Sequence, residues 1–311
     1  MVTCRRINGR ITSTREFESE YPFAPHYLDI NGHLLHYLDE GAGSPVLMVH
    51  GNPTWSFYFR HLVNRLSKEF RTLVPDHIGC GFSDKPDPKT YDYTLASRVS
   101  DLDAFVAHTV PQGKLDLIVH DWGGMIGLAW ALDHPDRINR VVITNTSGFF
   151  LPETKRFPWM LWLVKYLNWF SVPAVLGLNL FAKGALYLGA CTRLSARVKK
   201  GLTAPYNSPS NRIATLKFVQ DIPLTPADPA WEVVARVDKR IHRLNPDQVL
   251  FLWGAKDFVF DTCFLDEFLK RLPGAQSHVF SDAGHYLFED KPEQTADRIH
   301  RFLGSDGMAL L

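Results

Sequence analysis

Apolar and polar positions first fall into a repeating order at residue 26. His26-Tyr27-Leu28-Asp29-Ile30 and Leu34-Leu35-His36-Tyr37-Leu38-Asp39 read as two strands. Asn31-Gly32 between them is a strong hairpin signal, because both residues tolerate positive φ. Continuous apolar runs follow at Pro45-Val46-Leu47-Met48-Val49, Thr72-Leu73-Val74-Pro75, Leu115-Asp116-Leu117-Ile118-Val119 and Arg140-Val141-Val142-Ile143-Thr144. Two more lie at Asp247 to Trp253 and Ser277 to Phe280. Helical periodicity occupies Tyr93 to His108 and Gly123 to His134. Apolar strands alternating with helices predict an α/β protein whose mostly parallel central sheet is flanked by helices on both faces.

That rhythm breaks over residues 150–230, where helix-like segments are cut by Pro158, Pro173, Pro205, Pro209, Pro223, Pro226 and Pro229. The expected organisation is a polar, poorly ordered arm over 1–20, a core domain formed by 21–149 and 231–311, and a helical cap inserted at 150–230. Such a cap would close over the carboxyl ends of the strands, where open α/β sheets bind ligands. Phe157 to Cys191 is strongly apolar, but Lys165, Asn168, Pro173 and Lys183 interrupt it, which argues against a membrane-spanning helix. Its apolar side chains suit a cap core, a greasy substrate tunnel, or a face that meets a membrane or a protein.

Composition changes this picture little. A net charge of +1 in 311 residues offers no electrostatic reason to expect nucleic acid. Cys4, Cys80, Cys191 and Cys263 form no C-x-x-C pair, so neither a disulfide framework nor a zinc site is expected. The N-terminal residues contain no apolar signal core, and the expected location is cytoplasmic.

The chemistry concentrates at strand ends. The strand Leu115-Val119 runs into His120-Asp121-Trp122-Gly123-Gly124 and then a helix. This is a nucleophile elbow with Asp121 where a serine is usual and Val119 where the first glycine is usual. The helix that begins after Asp121 would favour its ionised form. His285, in Asp282-Ala283-Gly284-His285-Tyr286 after the last strand, is the expected general base. Asp257, in Gly254-Ala255-Lys256-Asp257, is the expected orienting acid, with Asp261 and Asp282 as rivals. Asn145-Thr146-Ser147-Gly148 supplies no carboxylate after the strand that precedes it. His50-Gly51-Asn52-Pro53-Thr54-Trp55 stands where this fold donates a backbone N–H to an oxyanion hole. The Asn52 amide and the Trp122 indole are the expected donors to a leaving anion. A carboxylate nucleophile attacks a saturated carbon bearing a leaving group, forming an alkyl ester on Asp121, which water activated by His285 can hydrolyse.

With His50-Gly51-Asn52-Pro53-Thr54-Trp55-Ser56, Gly79-Cys80-Gly81-Phe82-Ser83-Asp84-Lys85-Pro86, His120-Asp121-Trp122-Gly123-Gly124, Asp257 and Ala283-Gly284-His285, the chain resembles the haloalkane dehalogenase family of α/β-hydrolases. The acid after the later strand, combined with Asn52, is most similar to that family's third subfamily. The resemblance implies Asp121 as nucleophile, His285 as base, Asp257 as acid, and Asn52 with Trp122 as the halide-stabilising pair. It implies no cofactor and no metal, with a small hydrophobic substrate and water as reactants and a halide ion as product. The same residues resemble the β-lactone decarboxylases of long-chain olefin biosynthesis. Between the two, this reading favours dehalogenation, because a halide cradle accounts directly for Asn52 and Trp122. The β-lactone decarboxylase is the alternative. Epoxide hydrolases share His-Asp-Trp-Gly and would draw a proton donor from Tyr166, Tyr187 or Tyr206, but Asn52 argues against them. A non-catalytic receptor on this fold would not need the intact set of reactive groups.

Overall fold

The computed structural model describes residues 14–304. Its strands are β1 (His26–Ile30), β2 (His33–Glu40), β3 (Pro45–Val49), β4 (Arg71–Pro75), β5 (Leu115–Asp121), β6 (Ile138–Thr146), β7 (Val249–Gly254) and β8 (Gln276–Phe280). They form one sheet in the order β1-β2-β4-β3-β5-β6-β7-β8. β2 is antiparallel to both β1 and β4, and the remaining pairs are parallel. The β1–β2 hairpin turns through Asn31 and Gly32, with φ of 52° and 83°. Two successive positive φ values match the right-handed twist of the flanking strands.

The helices before β6 are α1 (Arg60–Leu66), α2 (Leu95–Thr109) and α3 (Trp122–Asp133). Between β6 and β7 lie α4 (Trp159–Tyr166), α5 (Asn168–Ser171), α6 (Leu180–Leu188), α7 (Ala196–Thr203), α8 (Ile213–Gln220) and α9 (Trp231–Asp238). After β7 come α10 (Thr262–Arg271), α11 (Leu287–Asp290) and α12 (Pro292–Leu303).

Alternation along the parallel strands divides the interior in two. Leu47, Val49, Leu117, Val119, Val141 and Ile143 join a cluster with Phe105 of α2, Leu128 of α3, Val234 of α9 and Phe268 of α10. Val46, Met48, Ile118, Val142 and Leu252 face the other way, toward Leu62 of α1, Phe288 of α11 and Ile299 of α12. β5 is buried along its whole length, which explains its unbroken apolar reading apart from Asp116 and the terminal His120-Asp121.

One expectation changes. Residues 1–13, Cys4 included, lie outside the described residues. From residue 14 the chain forms ordered turns, and Phe17 is buried edge-on against Trp55 and Phe57, so 14–20 is not a loose arm. A single aromatic ring in a polar stretch has no period, and periodicity analysis passes over it. Among the described residues, no single helix is long and apolar enough to cross a membrane.

Candidate active site

β5 delivers Asp121 to the start of α3 with φ 53° and ψ −131°, a conformation that side chains rarely adopt. The surroundings hold it there. The Thr146 hydroxyl at the end of β6 donates to the Asp121 carbonyl. Gly123 is pressed against β3, where an added Cβ would lie 2.0 Å from the Val49 carbonyl oxygen. At Gly51 an added Cβ would lie 2.0 Å from Asp121 Oδ1, so no larger residue fits beside the carboxylate.

The Asp121 carboxylate is buried and accepts two backbone N–H groups, from Asn52 at 2.6 Å and from Trp122. Its Oδ2 faces His285 Nε2 at 3.5 Å. His285 Nδ1 lies 2.7 Å from Asp257 Oδ2, which places the ring proton on Nδ1 and turns Nε2 toward Asp121. Burial pushes the Asp121 carboxyl above its usual range, against the pull of His285 and the two N–H donors. For His285 burial acts downward, but the Asp257 carboxylate, aided by Asp121, outweighs it and raises the imidazole. The expected ease of ionising Asp121 is therefore tempered by its burial.

Asp257 is fixed as the partner of His285, and its rivals are occupied elsewhere. Asp261 caps α10 and pairs with Lys155 at 2.5 Å, while Asp282 pairs with Lys291 at 2.5 Å. Sequence reasoning passed over three supporting groups. Asn145, at φ 32°, bridges β6 to β7: its Oδ1 accepts the Gly254 N–H at 2.8 Å and its Nδ2 donates to Asp257 Oδ2 at 3.1 Å. A polar residue at a buried strand end was the available signal. Asp290 accepts N–H groups from Cys191 (3.0 Å), Thr192 (2.7 Å) and Gly284 (2.8 Å), tying the α6–α7 connection to the turn that carries His285. His120 Nε2 lies 2.8 Å from the His285 carbonyl and holds the same turn from below, its imidazole kept neutral by burial and the nearby His285 charge.

A cavity of about 390 Å³ opens above Asp121. Its polar side chains are Asn52, Asp121, Trp122, Ser147 and His285, and the rest of its wall is almost wholly apolar, drawn from the core and from α4, α5, α6 and α8 with their connections. Asn52 and Trp122 thus both line the chamber. One hydrogen of the Asn52 amide, however, is donated to the Thr215 carbonyl in α8 at 3.0 Å, which leaves the other for an incoming anion. Tyr166, Tyr187 and Tyr206 do not line the cavity, so the tyrosine donor required by the epoxide reading is absent from its wall. Among the described residues, no group of three or more His, Cys, Asp or Glu side chains could hold a metal ion.

Comparison with known proteins identifies the family. Residues 44–292 match the alpha/beta hydrolase fold family. A cis-3-alkyl-4-alkyloxetan-2-one decarboxylase of Shewanella oneidensis is 45% identical over 91% of this chain and 89% of its own length. A haloalkane dehalogenase of Mycolicibacterium paratuberculosis is 32% identical over 93% of this chain and 96% of its own. The crystal structure of a putative ancestral haloalkane dehalogenase superposes with a TM-score of 0.81 at 23% identity, covering 91% of this chain and 100% of that one, and so shares the fold.

Proposed function

The chain belongs to the α/β-hydrolase-fold family, in the branch that joins haloalkane dehalogenases to β-lactone decarboxylases, and from this footing we propose that it decarboxylates a cis-3,4-dialkyl β-lactone to an alkene. The observation that carries the choice is the gap between 45% identity to a decarboxylase and 32% to a dehalogenase, each over about nine-tenths of the chain. It reverses the order in which the sequence motifs ranked the two chemistries. Residues 150–230 act as the cap of this enzyme, and Asp121, His285, Asp257, Asn52 and Trp122 form its site.

Electron bookkeeping gives each group its task. An Asp121 oxygen attacks C4 of the lactone from the side opposite the ring oxygen. The C4–O bond breaks, and its electron pair leaves on what becomes a carboxylate attached to C3. The free Asn52 amide hydrogen and the Trp122 indole N–H receive that charge. The bond between C3 and the carboxylate then breaks, its pair forming the C3=C4 double bond while the C4–Asp121 bond breaks. Carbon dioxide leaves and the Asp121 carboxylate is restored. Inversion at C4 followed by anti elimination keeps the two alkyl groups on the same side, so a cis lactone gives a cis alkene. This route consumes no water and needs no base. A bromoalkane at the same site would instead leave an ester that only water activated by His285 can remove.

The test compares alkene and carbon dioxide release from a cis β-lactone with bromide release from 1-bromobutane. The lactone should turn over faster, and Asp121→Ala should abolish both reactions. In His285→Gln, 1,2-dibromoethane should leave an ester on Asp121, visible as added mass, while lactone turnover persists at a reduced rate. Brisk bromide release with no alkene from the lactone would restore dehalogenation as the function.

A further inference from the structure

The chemistry of the site does not account for the outer face of the helical segment. Trp169, Tyr187 and Trp159 are 77%, 70% and 69% exposed, and Trp162, Leu178 and Leu180 are exposed beside them. Isolated apolar side chains on a surface need no explanation, but a patch of this size marks a contact. Charge is distributed just as unevenly. Residues 151–220 hold ten Lys and Arg against a single acidic residue, Glu153, in a chain whose net charge is only +1. Among the described residues, Lys183, Arg193, Arg197 and Lys199 have no carboxylate partner, and the Lys199 ammonium sits 4.4 Å over the Tyr187 ring inside the patch.

We propose that this face docks on an anionic lipid bilayer. Trp and Tyr with an apolar body and a polar tip suit the headgroup level, and flanking Lys and Arg are attracted to negative lipid. A second copy of this chain is a poor occupant: a two-fold contact would set the same unpaired positive charges against one another. α5 with its π-helical continuation (Asn168–Gly177) and α6 are together apolar enough to span a membrane but bend by 77°, which suits a helical pair lying in the interface rather than crossing it. Trp159, Met160, Leu180 and Leu188 are exposed on this face and also line the cavity. Docking would therefore set the mouth of the chamber against the acyl chains, where a lipophilic substrate dissolves.

Vesicle co-sedimentation of the full chain tests this, with phosphatidylcholine alone and with phosphatidylcholine mixed with phosphatidylglycerol. Binding should require phosphatidylglycerol and weaken as salt is raised. Two paired variants, Trp169→Ser with Tyr187→Ser and Lys183→Glu with Lys199→Glu, should each lower vesicle affinity by at least about tenfold. None of these four residues lines the cavity, so turnover of a dissolved short-chain substrate should be unchanged. Failure to bind either vesicle, equal binding to both that charge reversal leaves intact, or a dimer closed through this face would each overturn the proposal. The chemistry at Asp121 is read separately, in solution without lipid.

Discussion

At the scale of single residues, the two reactions ask different things of one imidazole. Opening the lactone needs only an ionised Asp121, whose carboxyl is raised by burial. Its rate should fall as pH drops through that raised value and then stay level toward alkaline pH. Ester hydrolysis also needs neutral His285, whose pKa Asp257 and Asp121 raise against the effect of burial. Alkylation removes the Asp121 charge and part of that upward pull, but Asp257 remains at 2.7 Å. Bromoalkane turnover should therefore rise to a higher pH than lactone turnover, and superimposable pH–rate profiles would contradict these roles. Asp76 makes a stability prediction. Burial alone would push its carboxyl up, but His36 at 2.7 Å and the N–H groups of Ser56 and Phe82 hold it down at about 2. A folded value below the unfolded one contributes stability above about pH 4, and that contribution is lost as pH falls toward about 2. It amounts to about 2 kcal/mol, and urea unfolding at several pH values should show a shallower acid slope in Asp76→Asn.

At the scale of elements, Asn145 joins β6 to β7 and braces Asp257. Asn145→Ala removes a hydrogen bond to a charged acceptor, about 1.5–3 kcal/mol. The structural cost should appear as a lower Tm, and the loss of positioning as a kcat for 1-bromobutane, whose ester needs His285, reduced roughly tenfold or more with KM little changed. A lower Tm with unaltered kcat would leave Asn145 a purely structural link. Strands β3 to β7 were legible in the sequence because runs buried on both faces of a sheet leave a nearly unbroken apolar signature, and β1 and β2 because Asn31-Gly32 marks the hairpin between them. Asp121, Asp257 and His285 were legible because this fold fixes their order along the chain. Phe17, Asp290 and the bond from Asn52 to Thr215 were not, since each depends on a contact between segments far apart in sequence. No local period encodes such a contact.

At the scale of the whole molecule, the core supplies the reactive groups and the helical segment supplies most of the apolar wall, so chain-length selection should be separable from catalysis. Gly184 in the middle of α6 isolates that difference. It lines the cavity, and a Cβ added there meets nothing within 4 Å. Gly184→Leu should therefore place its Cβ without strain. Removing a glycine from a helix interior favours the helix by about 1 kcal/mol, so Tm should hold or rise. The new side chain would occupy space that a long alkyl chain needs but a short one does not. Turnover of long-chain β-lactones should fall, mainly through KM, while that of short-chain ones stays near the parent's, as measured on a homologous series. A uniform loss across the series would mean that the substitution disturbed Asp121 or His285 instead. An unchanged long-chain preference, with the fold intact by thermal melt, would mean that the alkyl chains leave the site by a path that does not pass α6.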